Sequence, residues 1–255
     1  MIAFYTTFFY EPLFNLLVAI YGSIAAHDLG FAIIILTILV RLALYPLAQQ
    51  SIRAQKTLAD LQPKLEALKE KHRGNREKIA EATMQLYKEE KVNPLSSCLP
   101  LLIQLPFFIA LFQVFRNGTN PDSLSVLYSF VANPGALNPN GLFGLIDLSA
   151  TRNFLLAGMA GAAQFWQGHM LVRRRPKPKV EGAQDEDFAT LMNQQMTYVM
   201  PVVTAIFAWQ FPAGLALYWF LTTLLLAVQQ WYVFHRHTSH PVDDSSLPTT
   251  SSSTS

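Results

Sequence analysis

The sequence predicts an all-α, polytopic membrane protein with five transmembrane helices, N-terminus outside and C-terminus inside, on three observations. First, 51% of the 255 residues are apolar and 14% are charged, whereas a soluble domain carries about 25% charged residues. Second, five stretches approach the roughly 20 apolar residues that a membrane-spanning helix needs: 30–49, 95–115, 153–172, 194–211 and 213–234. Third, Lys and Arg crowd the loops of one side, sixteen against two. A net charge of +2 creates no global field to recruit nucleic acid. The single cysteine, Cys98, excludes an internal disulfide and any multi-cysteine metal site.

Taken in order, residues 1–29 hold no Lys or Arg and are expected outside. The apolar run Pro12 to Ile20 is short and is interrupted by Asn15. Leu13, Leu16, Leu17, Ile20 and Ile24 fall on one helical face. An interfacial amphipathic helix is therefore expected, introduced by an aromatic belt of Phe4, Tyr5, Phe8, Phe9 and Tyr10, with a sixth span as the alternative. No basic n-region or small-residue cleavage site marks a signal peptide.

Residues 30–235 form the predicted five-span core. Its loop 51–93 carries ten basic and seven acidic residues and is expected in the cytoplasm. Leu58, Leu61, Leu65 and Leu68 keep a 3-4-3 spacing, Arg73, Gly74 and Asn75 make a stop and turn, and Ile79, Met84, Leu86 and Tyr87 form a second run. This reads as an antiparallel helical hairpin outside the bilayer, either a docking surface for a partner or lipid headgroup or a plain solvated connector. Loop 116–152 holds two basic residues and is expected outside; loop 173–193 holds five and is expected inside. The tail 236–255 ends in a Ser/Thr run and is expected to be disordered and cytoplasmic.

The spans contain no acidic residue and no lysine, and Arg41 is the one arginine well inside them. It lies about 16 Å into the first span at 1.5 Å per residue, close to the middle of a roughly 30 Å hydrocarbon core. Insertion scales put the cost of that placement at about 2.5–3.5 kcal/mol. Without a carboxylate in any span, Arg41 must face water within the bundle or await an anion brought by something else. Thr37, Arg41 and Tyr45 stack at i, i+4 and i+8 on one helical face. Gln104, Gln164, Tyr218 and Trp219 add polar or amphipathic groups in other spans. The competing reading is that Thr37 bonds its own backbone and that Tyr218 and Trp219 pack in the core or at the interface.

Other chemistry is excluded by the motifs the chain lacks. There is no GxxxxGK[ST] loop, no HExxH and no Gly-x-Ser-x-Gly. His235, His237 and His240 form a tail run better read as solvated than as a metal site, and His169 has no ligand partner at helical spacing. No enzyme, cofactor or metal is expected.

The stretch Ile38-Leu39-Val40-Arg41-Leu42 with Tyr45-Pro46-Leu47 resembles the first core span of the YidC membrane protein insertase family. Tyr87-Lys88, Lys91-Val92-Asn93-Pro94-Leu95 and Leu101 to Pro106 resemble the loop exit and second span of its bacterial members. Met200-Pro201, Phe211 to Leu215 and Leu217-Tyr218-Trp219 resemble its fourth and fifth spans. The similarity runs in order from about 30 to 235. It implies a hydrophilic groove in the inner leaflet, open to cytoplasm and lipid, that receives a nascent hydrophobic segment and releases it sideways. Arg41 matches the family's groove arginine; Thr37 and Trp219 match positions of substrate contact, the latter often tyrosine in relatives. Two departures from the family pattern are expected: a form without the large periplasmic domain of many relatives, and a tail whose one basic residue is Arg236, which puts autonomous ribosome docking in doubt.

The expectation is thus a bacterial plasma (inner) membrane insertase and folding chaperone that works without nucleotide hydrolysis. Its substrate-binding groove is expected to comprise Arg41, Thr37, Tyr45, Gln104, Tyr218 and Trp219. Expected partners are nascent membrane proteins, membrane lipid, and the Sec translocon or ribosome, with the chain itself a monomer. Two alternatives stand beside it: a structural assembly factor working with the Sec translocon, and a small-anion transporter.

Overall fold

A computed structural model describes residues 2–93, 99–117, 121–172 and 195–236. Helix α1 (Ile2–Tyr5) and a π-helical stretch, Thr6–Tyr10, lead into α2 (Glu11–Ser23). Then come α3 (Leu29–Ala43), α4 (Tyr45–Asp60), α5 (Gln62–Lys71), α6 (Arg76–Glu89) and α7 (Leu99–Asn117). Helices α8 (Phe154–Val172), α9 (Met200–Gln210) and α10 (Ala213–Arg236) complete the order, with a second π-helical stretch, Gln195–Val199, ahead of α9. Between α7 and α8 lie a 3-10 turn, Pro121–Val126, and two antiparallel strands, β1 (Asn140–Gly141) and β2 (Ile146–Asp147), pairing Asn140 with Asp147.

Local chemistry sets the helix ends. Asp28, in extended conformation, caps α3 by accepting from Phe31 N at 3.1 Å. The 30–49 stretch is not one straight helix: α3 closes at Leu44, and the chain bends by 66° into α4. Pro46 in the first turn of α4 has no N–H to return to the preceding turn, and its ring crowds the carbonyl there. Gly74, at φ +85°, and Asn75, which accepts from Lys78 N at 3.0 Å, turn α5 into α6 where the sequence places a stop. A Lys64–Glu90 ion pair joins the other end of that hairpin.

Helix α8 packs against α9 and α10. A Cβ at Gly161 would lie 3.1 Å from both Ala205 Cβ and the Pro201 carbonyl, so the small residue permits close approach. Among the described residues, Ala213–His235 is by itself long and apolar enough to cross a membrane. The bent pair Leu29–Ala43 and Tyr45–Asp60 passes only when taken together, and Gln104–Val114 is apolar but shorter.

Helix α2 buries Leu13, Phe14, Leu17, Val18, Ile20 and Tyr21 in the main core, alongside Ile33 and Leu36 of α3 and Leu111 of α7. Leu16 and Ile24, members of the expected apolar face, are exposed. The buried arc is shifted because loop 121–152 lies over this helix. Asn15, the apparent interruption, is buried and donates to the carbonyls of Val126 (3.1 Å) and Glu11 (2.9 Å) while accepting from Tyr128 N (2.7 Å). Tyr21 Oη accepts from Asn138 N at 3.0 Å. Residues 94–98 with Cys98, the loop 173–193, His237, His240 and the rest of the tail lie outside the described residues.

Candidate functional site

Three of the six expected site residues are joined in one polar chain across three helices. Arg41 Nη2 on α3 donates to Gln104 Oε1 on α7 at 3.3 Å. Gln104 Nε2 in turn donates to Tyr218 Oη on α10. Tyr218 is fully buried and also hydrogen-bonds Thr222, one turn further along α10. Sequence reasoning missed Thr222, although its i+4 spacing from Tyr218 places the two on one face.

The other three residues serve differently. Thr37 is wholly buried, and its Oγ1 donates to the Ile33 carbonyl at 2.6 Å, so its hydroxyl is turned to its own helix. Trp219 packs edge-on against Phe108, with centroids 5.3 Å apart, in an aromatic group that includes Phe211 and Phe112. Tyr45 stands at the bend, and its carbonyl accepts from Gln229 Nε2 of α10 at 3.2 Å. Gln164, one turn before Gly168, is half-buried on α8. His169 stacks on Phe165, and His235 packs at a tilt against Trp231.

Beside the polar chain, α3 and α10 part to form a cavity of about 380 Å³. Ile38, Arg41, Leu42 and Tyr45 line one wall; Val228, Trp231 and Tyr232 are among the residues lining the other. Most of these side chains are exposed as well, so the cavity opens at the protein surface. Further along α10, Ile52 of α4 packs on Val233 and Phe234.

The electrostatics follow from the partners. Arg41 has a neutral amide as its hydrogen-bond partner, and the ion pair seen among the described residues, Lys64–Glu90, lies in the hairpin. A guanidinium keeps its charge in any protein environment and presents five donors, so a neutral acceptor leaves both charge and donor capacity unspent. The arrangement can hold an acidic or polar group beside an apolar segment.

The comparisons with known proteins agree with this architecture. Residues 20–240 match the family model described as 60Kd inner membrane protein. The membrane protein insertase YidC of Ectopseudomonas mendocina is 34% identical over 89% of this chain and 34% of its own length. That of Legionella pneumophila (strain Corby) is 32% identical over 88% of this chain and 35% of its own. The chain thus spans about a third of the length of these curated relatives. A crystal structure of an active YidC insertase with its first transmembrane domain resolved aligns with a TM-score of 0.55 at 25% identity, covering 89% of this chain and 46% of that one. The chain belongs to the 60Kd inner membrane protein family, as a homologue of the YidC insertases.

Proposed function

We propose that this chain is a membrane protein insertase and folding chaperone of the bacterial plasma membrane. It spans the bilayer five times, N-terminus outside, and acts as a monomer on nascent membrane proteins. One observation carries the reading: Arg41, partnered by the neutral Gln104, lines an apolar cavity that opens at the surface between α3 and α10. The relatives named as insertases support it.

In this mechanism the polar flank of a client enters beside Arg41, which spares it the full hydrocarbon thickness. The positive charge draws acidic flanks most strongly. The client's apolar segment rests against Ile38, Leu42 and Val228 and then leaves sideways. Its transfer from water to lipid yields about 25 cal/mol per Å² of apolar surface, so the chain needs no nucleotide. Trp219, packed in the Phe108 cluster, and Thr37, bonded to its own helix, are not among the residues that line the cavity. The cytoplasmic hairpin α5–α6 is the surface offered to the Sec translocon or ribosome.

The test is insertion of a small single-span protein, translated in vitro, into liposomes holding only this chain, read by protease protection. Protection above empty liposomes is expected, with Arg41→Ala weakening it most for clients with acidic flanks and Arg41→Lys retaining most of it. Equal protection by Arg41→Ala, at matched protein levels, would refute the role of the charge.

A further inference from the structure

The hairpin β1–β2 is polar at its stem and apolar at its tip. Asn138, Asn140 and Asp147 are exposed at or beside the stem, whereas the segment 142–145 reads Leu-Phe-Gly-Leu without a charge. Phe143 is 84% exposed and Leu145 82%, among the most exposed large apolar side chains of the described residues. Leu142 and Phe143 both adopt positive φ, 56° and 61°, which is uncommon for such side chains.

Asp28 sustains that conformation. Consecutive left-handed residues point their N–H groups into one concavity, which favours an anion. Here the carboxylate of Asp28 fills it, accepting from Leu142 N at 2.9 Å and Phe143 N at 2.7 Å. Leu145 N returns to the Leu142 carbonyl at 3.3 Å. The N–H groups of Leu142, Phe143 and Leu145 are thereby paired within the protein while the side chains of Phe143 and Leu145 are turned out. A loop placed in lipid requires such pairing.

The tip is also placed against an apolar helix. Gly30 and Gly141 meet so closely that a Cβ on Gly141 would lie 2.7 Å from Gly30 N. Phe143 then packs edge-on against Phe31, centroids 5.0 Å apart, in the first turn of α3. The exposed tip is therefore continuous with the outer surface of α3, where Ile38, Leu39 and Leu42 are exposed further along. Phe154 and Leu155, 76% and 67% exposed, stand at the start of α8. They lie at the same end of the bundle, because Leu148 and Ala150 accept from Gly214 and Ala213 at the start of α10.

We propose that the β1–β2 tip is an outer-leaflet anchor, with Phe143 and Leu145 inserted at the boundary between headgroups and acyl chains beside the first turn of α3. The proposal rests on the orientation proposed above, which puts loop 121–152 outside. The anchor fixes the depth of α3 at its outer end and so the depth of Arg41.

The experiment uses the full chain with Cys98→Ser in phosphatidylcholine–phosphatidylglycerol vesicles, carrying one new cysteine at a time. Phe143→Cys and Leu145→Cys probe the tip, and Ala132→Cys, at an exposed position of the same loop, is the water reference. Nitroxide-labelled 143 and 145 are expected to be more accessible to oxygen than to a water-soluble nickel complex, at a depth of roughly 5–10 Å into the boundary. The label at 132 is expected to show the reverse preference. Labels at 143 and 145 that behave like the one at 132 overturn the anchor while leaving the orientation intact. In intact cells an impermeant maleimide is expected to label Ala132→Cys from outside. Failure there overturns the orientation and the anchor with it.

Discussion

Asp28 offers the sharpest quantitative test of how the loop 121–152 is held. Its carboxylate caps α3 through Phe31 N and binds the hairpin through Leu142 N and Phe143 N. Loss of an N-cap costs about 1 kcal/mol. Each hydrogen bond to a charged group contributes about 1.5–3 kcal/mol when well shielded. Asp28 is only half-buried, so screening by solvent reduces the two hairpin bonds well below that range. Asp28→Ala should therefore weaken the docking of the hairpin by about 1–2 kcal/mol, a roughly 5- to 30-fold rise in local opening, while the lost cap falls on the first turn of α3. Hydrogen exchange over residues 138–148 reads this directly. Exchange in that segment as slow as in the parent chain, with α3 unchanged, would refute the assigned role.

The same carboxylate gives a pH signature. Burial by itself would favour the neutral acid. The backbone N–H groups of Phe143, Leu142, Phe31 and Gly30 outweigh it and hold the pKa of Asp28 below the usual carboxylate range. A depressed folded pKa means that the stabilisation is complete above the unfolded value, near 3.9. It is lost as pH falls through the folded value. Protection of 138–148 should stay flat from neutral pH down to about 5 and then decline, and Asp28→Asn should remove that decline.

Three further outcomes follow from the packing. Tyr218→Phe removes the acceptor of Gln104 Nε2 in a buried site and should cost about 1–3 kcal/mol in unfolding free energy; an unchanged midpoint in detergent unfolding would deny that the polar chain is structural. Gly161→Leu forces a side chain into Ala205 and the Pro201 carbonyl and should destabilise by about 1–3 kcal/mol. Gly158→Leu, with open space where its Cβ would sit, should leave the thermal midpoint nearly unchanged, and equal losses would contradict the α8–α9 contact. Lys64→Ala breaks a pair that is exposed on both sides and should shift stability by no more than about 1 kcal/mol, an effect that high salt abolishes.

The sequence exposes some of these features and hides others for identifiable reasons. Arg41, Gln104 and Tyr218 are legible because a polar side chain in an apolar stretch needs a partner, and few candidates exist. The turn at Gly74–Asn75 is legible from local chemistry alone. Asn15 shows in the sequence only as an interruption of an apolar run, and Tyr21 and Asp28 escape notice because they sit outside the strongest apolar stretches, where polar residues are ordinary. Their partners are backbone groups more than a hundred positions away, at 126–143. The break at Leu44 is hidden for another reason: a proline in a first helical turn reads equally well as a start signal or a kink.

The position of the break matters more than its existence. Asp28 and Arg41 lie about 20 Å apart along α3, at 1.5 Å per residue, and the helix is tied differently at each. Near Asp28 the backbone of the loop, α2 and the start of α10 close around it, and Ala213 and Leu215 to Tyr218 are all buried. Past Arg41 the helix has two residues left, Leu42 and Ala43, before Pro46 turns the chain away, and Ile38, Leu42, Val228 and Tyr232 face an opening instead of one another. Helix α4 then returns to α10 through Ile52 and Phe234. A straight helix through residue 49 would keep its ridges packed against α10 and leave no such space. Arg41 therefore stands where the closed part of the α3–α10 interface meets the open part, and that border is where a client's polar flank and apolar segment need different surroundings. Replacing Pro46 with Ala, which restores an N–H and removes the ring clash, should straighten the bend. The cavity should narrow with it, measured as a shorter spin-label distance between positions 42 and 228. An unchanged distance would place the cause of the opening elsewhere than at the proline.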